Sequence, residues 1–258
     1  MGAIVESDVF EKGEQTTKYL NSFEYCANSI DVLRPGTQTT IQDYPGRTGY
    51  WDIGVPPSGP FDMLSFRYAN RIVGNSEKAA GLEIAIAGPT LKFNSDTFIA
   101  LCGTEIEASL EGVALEMNKA VMVKAGSTLK LKKVANEGFR TYLAVRGGFD
   151  VPEYLGSRST FTLGQFGGHA GRTLISGDVL HIDTLIESDV APKVVMPHEN
   201  YGRSWEIGVL YGPHGAPDFF TDEDIKTFFE TEWEIHYNSN RTGTVSYTHL
   251  TLPTMCVV

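Results

Sequence analysis

Residues 39–74 read TTIQDYPGRTGYWDIGVPPSGPFDMLSFRYANRIVG, and this stretch decides the fold around it. Within it, residues 54–60 contain three prolines and two glycines, which fix the backbone while adding little side-chain bulk. A loop of this kind lets a ligand approach main-chain N–H groups. We therefore predict a substrate-binding rim formed by Pro57, Ser58 and Gly59.

A helix is predicted to follow the rim. Pro60 takes the place of a first helical residue, and Asp62 falls in the first turn. Arg71 and Gly74 are typical of a helix end. Apolar side chains recur at spacings of three and four, namely Phe61, Leu64, Tyr68 and Ile72. The N–H groups at such a helix start suit an oxyanion or a carboxylate, and the alternative is a structural proline corner that caps a core helix.

Composition places the chain among ordinary globular proteins. It has 258 residues, 41% of them hydrophobic and 21% charged, which allows one large or two modest domains. The three cysteines are far apart and form no CxxC pair, which argues against a disulfide framework or a zinc site. The net charge of −11 disfavours nucleic acid and anionic membranes as partners. No apolar run approaches a membrane span and no basic leader opens the chain, so we predict a cytoplasmic protein.

Short β-strands are predicted on both sides of the helix. Apolar and polar residues alternate over short runs, with glycine or asparagine at the turns. The predicted strands are 29–33, 39–42, 82–86, 90–93, 97–102, 105–110, 115–117, 120–123, 128–132, 141–145 and 179–182. Many short strands with one or two helices favour an antiparallel barrel or sandwich over a parallel βαβ sheet.

Residues 146–177 form a second loop region, RGGFDVPEYLGSRSTFTLGQFGGHAGRTLISG, which we call the glycine-rich loop. It contains eight glycines in 32 residues, too many for a core, yet it also carries Arg158, His169 and Arg172. Long loops of this composition in a compact domain are usually functional or mobile. The alternative is a set of tight turns between strands.

The C-terminal part of the chain has its own strand and helix signals. An alternating strand is predicted at 206–210 and another at 233–237. Thr221 with Asp224 three residues later approximates a capping box, which predicts a helix over 222–230.

Several long motifs closely resemble one family, the carboxyltransferase region of biotin-dependent urea carboxylases, as found in urea amidolyase. The motifs are TTIQDYPGRTGYWDIGVPPSGPFD, RYANRIVGN, AVRGGFDVPEYLGSRSTF, GQFGGHAGR, GPHGAPDFFT and HYNSNRTG. The resemblance covers about residues 19–243, and the region is related to allophanate hydrolase subunit 2 and to a bacterial 5-oxoprolinase subunit. It implies cyclophilin-like β-barrel subdomains in two related halves.

This resemblance sets the expected domain limits. Residues 1–27 are expected to be a linker from a preceding domain, and 28–185 a cyclophilin-like β-barrel subdomain. Residues 186–243 would begin a second, truncated subdomain. Residues 244–258, TVSYTHLTLPTMCVV, match nothing in the family and are expected to be non-native read-through. We therefore predict a mainly β fold that is the first part of a longer domain.

The resemblance also implies a reaction, the transfer of a carboxyl group from carboxybiotin to urea to give allophanate. The biotin carrier, the biotin carboxylase domain that uses ATP, and the second carboxyltransferase half would lie outside this chain, which we expect to be inactive alone. One alternative is a subunit of an ATP-dependent amide hydrolase, as in 5-oxoprolinase. Another is a non-catalytic cyclophilin-like binding module.

The reaction assigns expected roles to named residues. The rim would stabilise the charge left on biotin, while Asn238 and Asn240 would hydrogen bond an amide-like substrate. The base would be His169 or His236, with Asp62 as a further candidate. Three arginines could hold a carboxylate: Arg158, Arg172 and Arg241. No metal is predicted, because the six histidines show no HxH or HxxxH spacing.

Overall fold

The computed structural model describes residues 28–134, 137–183, 202 and 204–236, together with the backbone of Ser246–Tyr247. The chain divides into two units, Met1–Arg203 and Ser204–Val258. The predicted linker 1–27 lies outside the described residues, as does 244–258 apart from one short strand. The domain limits predicted from the sequence stay predictions.

The first unit is built from short strands. They are β1 (Ser29–Arg34), β2 (Gln38–Gln42), β3 (Gly81–Ala85), β4 (Thr90–Phe93), β5 (Thr97–Gly103), β6 (Ile106–Leu110), β7 (Val113–Ala114), β8 (Val121–Val123), β9 (Thr128–Val134), β10 (Arg140–Val145), β11 (Phe149–Asp150) and β12 (Val179–Ile182). They form a seven-stranded sheet in the order β11-β12-β1-β4-β9-β6-β7 and a five-stranded sheet in the order β2-β3-β10-β5-β8. The recorded pairings in both sheets are antiparallel. The predicted fold class, a mainly β barrel subdomain with one or two short helices, is confirmed.

Both sheets contribute to one hydrophobic core. Side chains from β1, β4 and β9 of the larger sheet and from β3, β5 and β10 of the smaller sheet belong to the same buried cluster. Because successive side chains point to opposite faces of a strand, Leu143 and Val145 of β10 enter this core while Tyr142 and Ala144 face away. The smaller sheet therefore buries side chains on both faces.

Helix α1 (Met63–Ile72) covers the second face of the smaller sheet. Phe66, Ala69 and Ile72 recur at spacings of three and pack with Tyr142, and the Phe66 and Tyr142 rings meet edge to face at 5.9 Å. The predicted helix is confirmed, including Arg71 in its last turn. Its start differs from the prediction, because Asp62 is the N-cap and Pro60 precedes the helix.

One strand prediction in this unit was wrong, and one short strand was not predicted. The predicted strand 115–117 is absent from the described residues, where β7 occupies Val113–Ala114 instead. Glu111 and Gly112 both have positive φ, so a two-residue turn returns the chain immediately after β6. Strand β11 was missed because two residues are too short for a visible alternation.

The second unit contains helix α2 (Asp222–Glu230) and the antiparallel strands β13 (Glu234–Ile235) and β14 (Ser246–Tyr247). The capping box of Thr221 and Asp224 is present, which confirms the predicted helix. The predicted strand 206–210 is not formed within the described part. An alternating sequence forms a β-strand only where a neighbouring strand pairs with it through hydrogen bonds. No helix among the described residues is long and apolar enough to cross a membrane.

Candidate functional site

The rim passes directly over the segment that follows β2. The main-chain N–H of Arg47 donates to the carbonyl oxygen of Pro57 at 2.6 Å. A Cβ atom added to Gly46 would lie 2.6 Å from that oxygen, and one added to Gly59 would lie 2.9 Å from the oxygen of Pro45. Both glycines also have positive φ. At Gly46 and Gly59 the two main-chain segments are therefore in direct contact, and neither position has space for a side chain.

Ser58 is the part of the rim that remains open to a ligand. It is half-buried and adopts a φ of 56°, an uncommon conformation for a residue other than glycine. Among the residues that the structure describes, none hydrogen bonds to its N–H or its hydroxyl. Ser58 thus offers two adjacent donors in a fixed loop.

The N–H groups just before the helix are already used by the chain. The Phe61 N–H donates to a carboxylate oxygen of Glu83 at 2.7 Å, and the Asp62 N–H donates to the Tyr142 hydroxyl at 2.7 Å. That hydroxyl donates in turn to Glu83 at 3.1 Å. Burial, followed by the charge of Glu83, raises the pKa of Tyr142 well above its ordinary value, so it stays protonated. The anion site predicted at the helix start is therefore corrected to an internal network.

Asp62 itself caps helix α1. One of its carboxylate oxygens accepts hydrogen bonds from the N–H groups of Leu64 and Ser65 at 3.1 and 3.0 Å. The other accepts from the Ser65 hydroxyl at 2.6 Å. A role for Asp62 in proton transfer stays a prediction.

Arg47 links the rim to the glycine-rich loop. Its guanidinium donates to the carbonyl oxygens of Tyr154 at 3.0 Å and Ser159 at 2.9 Å, and it lies 4.8 Å from the ring centroid of Phe166. The side chain is 0% exposed. Burial lowers the pKa of Arg47, an effect that the nearby charge of Asp43 opposes. One terminal nitrogen, Nη1, is buried without an acceptor in the described structure.

Asp43, four residues before Arg47 in the sequence, binds the same loop. Its carboxylate accepts hydrogen bonds from the hydroxyls of Ser157 and Ser159 and from the N–H of Arg158 at 2.8 Å. Arg158 Nε donates to the carbonyl oxygen of Val151 at 3.0 Å. Asp43 and Arg47 thus both bind the part of the loop that contains Arg158.

His169 and Arg172 both contact Asp178. Arg172 binds Asp178 through two parallel N–H groups, each 2.8 Å from a carboxylate oxygen, and His169 Nε2 lies 3.4 Å from the same carboxylate. The His169 side chain is 27% exposed. Burial alone would raise the pKa of Asp178, but hydrogen bonds from Arg172 and the Ile175 N–H outweigh it, and the pKa is lowered. His169 is thus an accessible imidazole with a carboxylate partner, whereas the guanidinium of Arg172 is occupied by Asp178.

The remaining predicted residues cannot be placed beside the rim. Asn238, Asn240 and Arg241 lie outside the described residues, and His236 is a half-buried residue of the second unit. Within the described ranges, no group of three histidine, cysteine or acidic residues could hold a metal ion.

Sequence reasoning missed four residues of this site. Asp43 and Arg47 bind the glycine-rich loop, and Glu83 and Tyr142 accept hydrogen bonds from the N–H groups just before helix α1. None of the four was singled out from the sequence. Glu83 offers one usable signal, because it is the charged member of an otherwise apolar strand. A buried charge in such a strand requires partners. Here Arg140 Nε lies 3.3 Å from one carboxylate oxygen of Glu83, and the Phe61 N–H and the Tyr142 hydroxyl donate to the other.

Comparison with known proteins gives a consistent result. Residues 53–246 match the family described as carboxyltransferase domain, subdomain A and B. Urea amidolyase of Saccharomyces cerevisiae is 48% identical over 248 residues, which are 93% of this chain and 14% of that protein. A 5-oxoprolinase subunit of Escherichia coli is 36% identical over 214 residues, which are 83% of this chain and 67% of that protein. The crystal structure of Kluyveromyces lactis urea carboxylase superposes with a TM-score of 0.83 at 44% identity, covering 98% of this chain and 23% of that one.

Proposed function

The chain belongs to the carboxyltransferase family of subdomains A and B, and from that premise we propose that it is part of the carboxyltransferase of a biotin-dependent urea carboxylase. The proposed reaction moves a carboxyl group to a nitrogen of urea and yields allophanate. One carbon–nitrogen bond to biotin breaks, one to urea forms, and a urea proton must be taken up.

One observation carries the choice of urea as substrate. Identity to urea amidolyase is 48% over 248 residues, whereas identity to the Escherichia coli 5-oxoprolinase subunit is 36% over 214 residues. The chain spans 14% of the length of urea amidolyase. The biotin carrier, the ATP-using carboxylase domain and the second carboxyltransferase half are therefore proposed partners, and we expect the chain alone to be inactive. The cytoplasmic location stays a prediction.

The donor set at the rim fits the proposed cofactor. When bound, carboxylated biotin supplies the carboxyl group and is left with negative charge on its ureido oxygen. Ser58 supports this fit, because its N–H and hydroxyl have no partner among the described residues and its backbone is fixed. Preorganised donors of this type stabilise charge that develops during a reaction. Pro57 and Gly59 hold the peptide of Ser58 against Gly46.

His169 is our proposed proton acceptor. It is accessible, and Asp178 lies 3.4 Å from its ring nitrogen, an arrangement that orients an imidazole for general base catalysis. Asn238 and Asn240 are proposed to bind urea through their amides, and Arg241 to hold a carboxylate, as the family resemblance implies. These three roles depend on residues outside the described part of the chain.

The test uses the complete enzyme that carries this chain, supplied with ATP and bicarbonate. We expect urea, but not 5-oxoproline, to stimulate ADP release and to yield allophanate. Ser58→Ala and His169→Gln should each lower kcat by roughly tenfold or more. His181→Gln is the matched control, because His181 is an exposed histidine on β12 of the same unit.

Other outcomes identify the alternatives. Turnover of 5-oxoproline instead of urea would assign the chain to an amide hydrolase. If the complete protein bound neither biotin nor urea in a titration, the remaining hypothesis would be the non-catalytic binding module. Asn238→Ala with full activity would remove that residue from the site.

A further inference from the structure

Arg47 contacts both parts of the candidate site at once. Its main chain binds the rim at Pro57, while its side chain binds the glycine-rich loop at Tyr154 and Ser159. The two loop residues lie 107 and 112 positions away in the sequence. A single residue therefore joins the rim and the loop through its own hydrogen bonds.

The surroundings of Arg47 suit a guanidinium and not another cation. Two carbonyl oxygens accept from different nitrogens of its planar fork, and the Phe166 ring lies against its face at 4.8 Å. An ammonium group is a compact point donor and cannot make the same flat, two-point contact. A buried cation is retained only where its hydrogen bonds offset its lost hydration.

Gly167 shows how closely the glycine-rich loop surrounds Arg47. A Cβ atom at this position would lie 2.8 Å from Arg47 Nη2 and 2.1 Å from the carbonyl oxygen of Ser159. The loop therefore folds closely around the guanidinium, two residues before His169. A shift of Arg47 would move the loop that carries the proposed base.

We propose that Arg47 is a positioning residue, which holds Ser58 of the rim and His169 of the glycine-rich loop at the spacing that carboxyl transfer requires. This inference rests on the proposed function, because the reaction needs charge stabilisation and proton removal at one place. Misplacement of reacting groups by about 1 Å can cost on the order of a hundredfold in rate. Arg47 itself touches neither substrate nor cofactor in this proposal.

The first experiment compares Arg47→Met and Arg47→Lys with Arg67→Gln. Arg67 is a matched control, since it stacks 4.9 Å from the Tyr44 ring of the same segment but binds Glu77 and no rim or loop carbonyl. In the complete enzyme, we expect both Arg47 variants to lose roughly a hundredfold in kcat while KM for urea changes less than about threefold. Lysine should restore little of the rate, and Arg67→Gln should stay near wild type.

The second readout does not depend on activity. Hydrogen exchange is measured in the same enzyme at the rim and in the glycine-rich loop. The rim is followed by the N–H of residue 47, which binds the carbonyl oxygen of Pro57, and by the N–H of Gly59, and the loop by the amides at 154–168. We expect Arg47→Met to raise exchange in both regions together, and Arg67→Gln to raise it in neither. Unchanged exchange at the rim in a folded Arg47→Met protein would overturn the proposal, as would kcat equal to wild type.

A second pair of variants covers the case in which Arg47→Met does not fold. Gly167→Ala keeps the arginine but crowds it, whereas Gly156→Ala has the same positive φ of 72° with nothing within 4 Å of its added carbon. Only Gly167→Ala should lower kcat and raise exchange at the rim, and equal effects of the two variants would overturn the proposal. If the wild-type enzyme does not carboxylate urea, the proposed function fails, while the exchange data still decide the role of Arg47.

Discussion

Asp178 is a buried carboxylate whose charge should contribute to stability. Its pKa is lowered, because hydrogen bonds from Arg172 and the Ile175 N–H outweigh the effect of burial. A folded pKa below the unfolded value means that this stabilisation is present above the unfolded pKa and is lost as the pH falls through the folded pKa. We expect the free energy of unfolding to fall on acidification below about pH 4, and to fall less in Asp178→Asn.

Urea unfolding at several pH values measures this effect. Asp96→Asn is the control, because Asp96 forms an exposed ion pair with Lys124 and exposed pairs contribute little. A wild-type and an Asp178→Asn protein with the same pH dependence would contradict the prediction.

Cys102 should be unreactive in the folded protein. Its side chain is 1% exposed beneath helix α1, and burial, followed by the charge of Asp62, raises its pKa to about 12. Because the thiolate is the reactive form, iodoacetamide should label it only after unfolding. The measurement uses Cys26→Ser with Cys256→Ser, so that Cys102 is the sole thiol, and rapid labelling of the native protein would contradict this expectation.

At the residue scale, the sequence predicted the rim but not the groups that hold it. Proline and glycine at 54–60 indicate a fixed backbone directly, so Ser58 could be predicted as a candidate residue, and its role stays a prediction. The role of Arg47 depends on an acceptor 112 positions away, and that of Glu83 on a tyrosine 59 positions away. Local pattern carries no information on contacts at that distance.

At the element scale, the crossing of the rim over the segment after β2 gives a stability prediction. Gly59→Ala and Gly54→Ala carry similar backbone strain, since φ is 77° and 81°, but only the first places its new carbon within 3 Å of a main-chain oxygen. We expect Gly59→Ala to destabilise the protein by about 1–3 kcal/mol more than Gly54→Ala. Urea unfolding of the two variants measures the difference, and equal midpoints would contradict it.

The elements that the sequence predicted are those with dense or regular apolar signals. Strand β5 was predicted at 97–102 and β10 at 141–145, each within one residue of its observed bounds. Both faces of these two strands are buried, so nearly every residue is apolar and the sequence pattern is easy to recognise. The alternation at 206–210 is equally regular, yet it forms no strand in the described structure, since pairing is not a local property.

At the scale of the whole molecule, the first unit has the features of an independently folding domain. Strands β1–β12 and helix α1 all lie within residues 28–183, and the core cluster is drawn from the same residues. We expect a protein of residues 28–183 to unfold in one cooperative transition, because a core of this size supports two-state behaviour. Far-UV and near-UV circular dichroism measured against urea should give coincident curves. Separate transitions would show that this unit needs further chain to fold.

The crossing of Gly46 and Gly59 also limits how the site could be diversified in laboratory evolution. Where a side chain meets a side chain, a larger residue on one side can be accommodated by a smaller one opposite. Here backbone faces backbone on both sides, so no compensating pair exists. Libraries that randomise this region should recover variety at the exposed Thr48, while positions 46 and 59 return as glycine in every active clone.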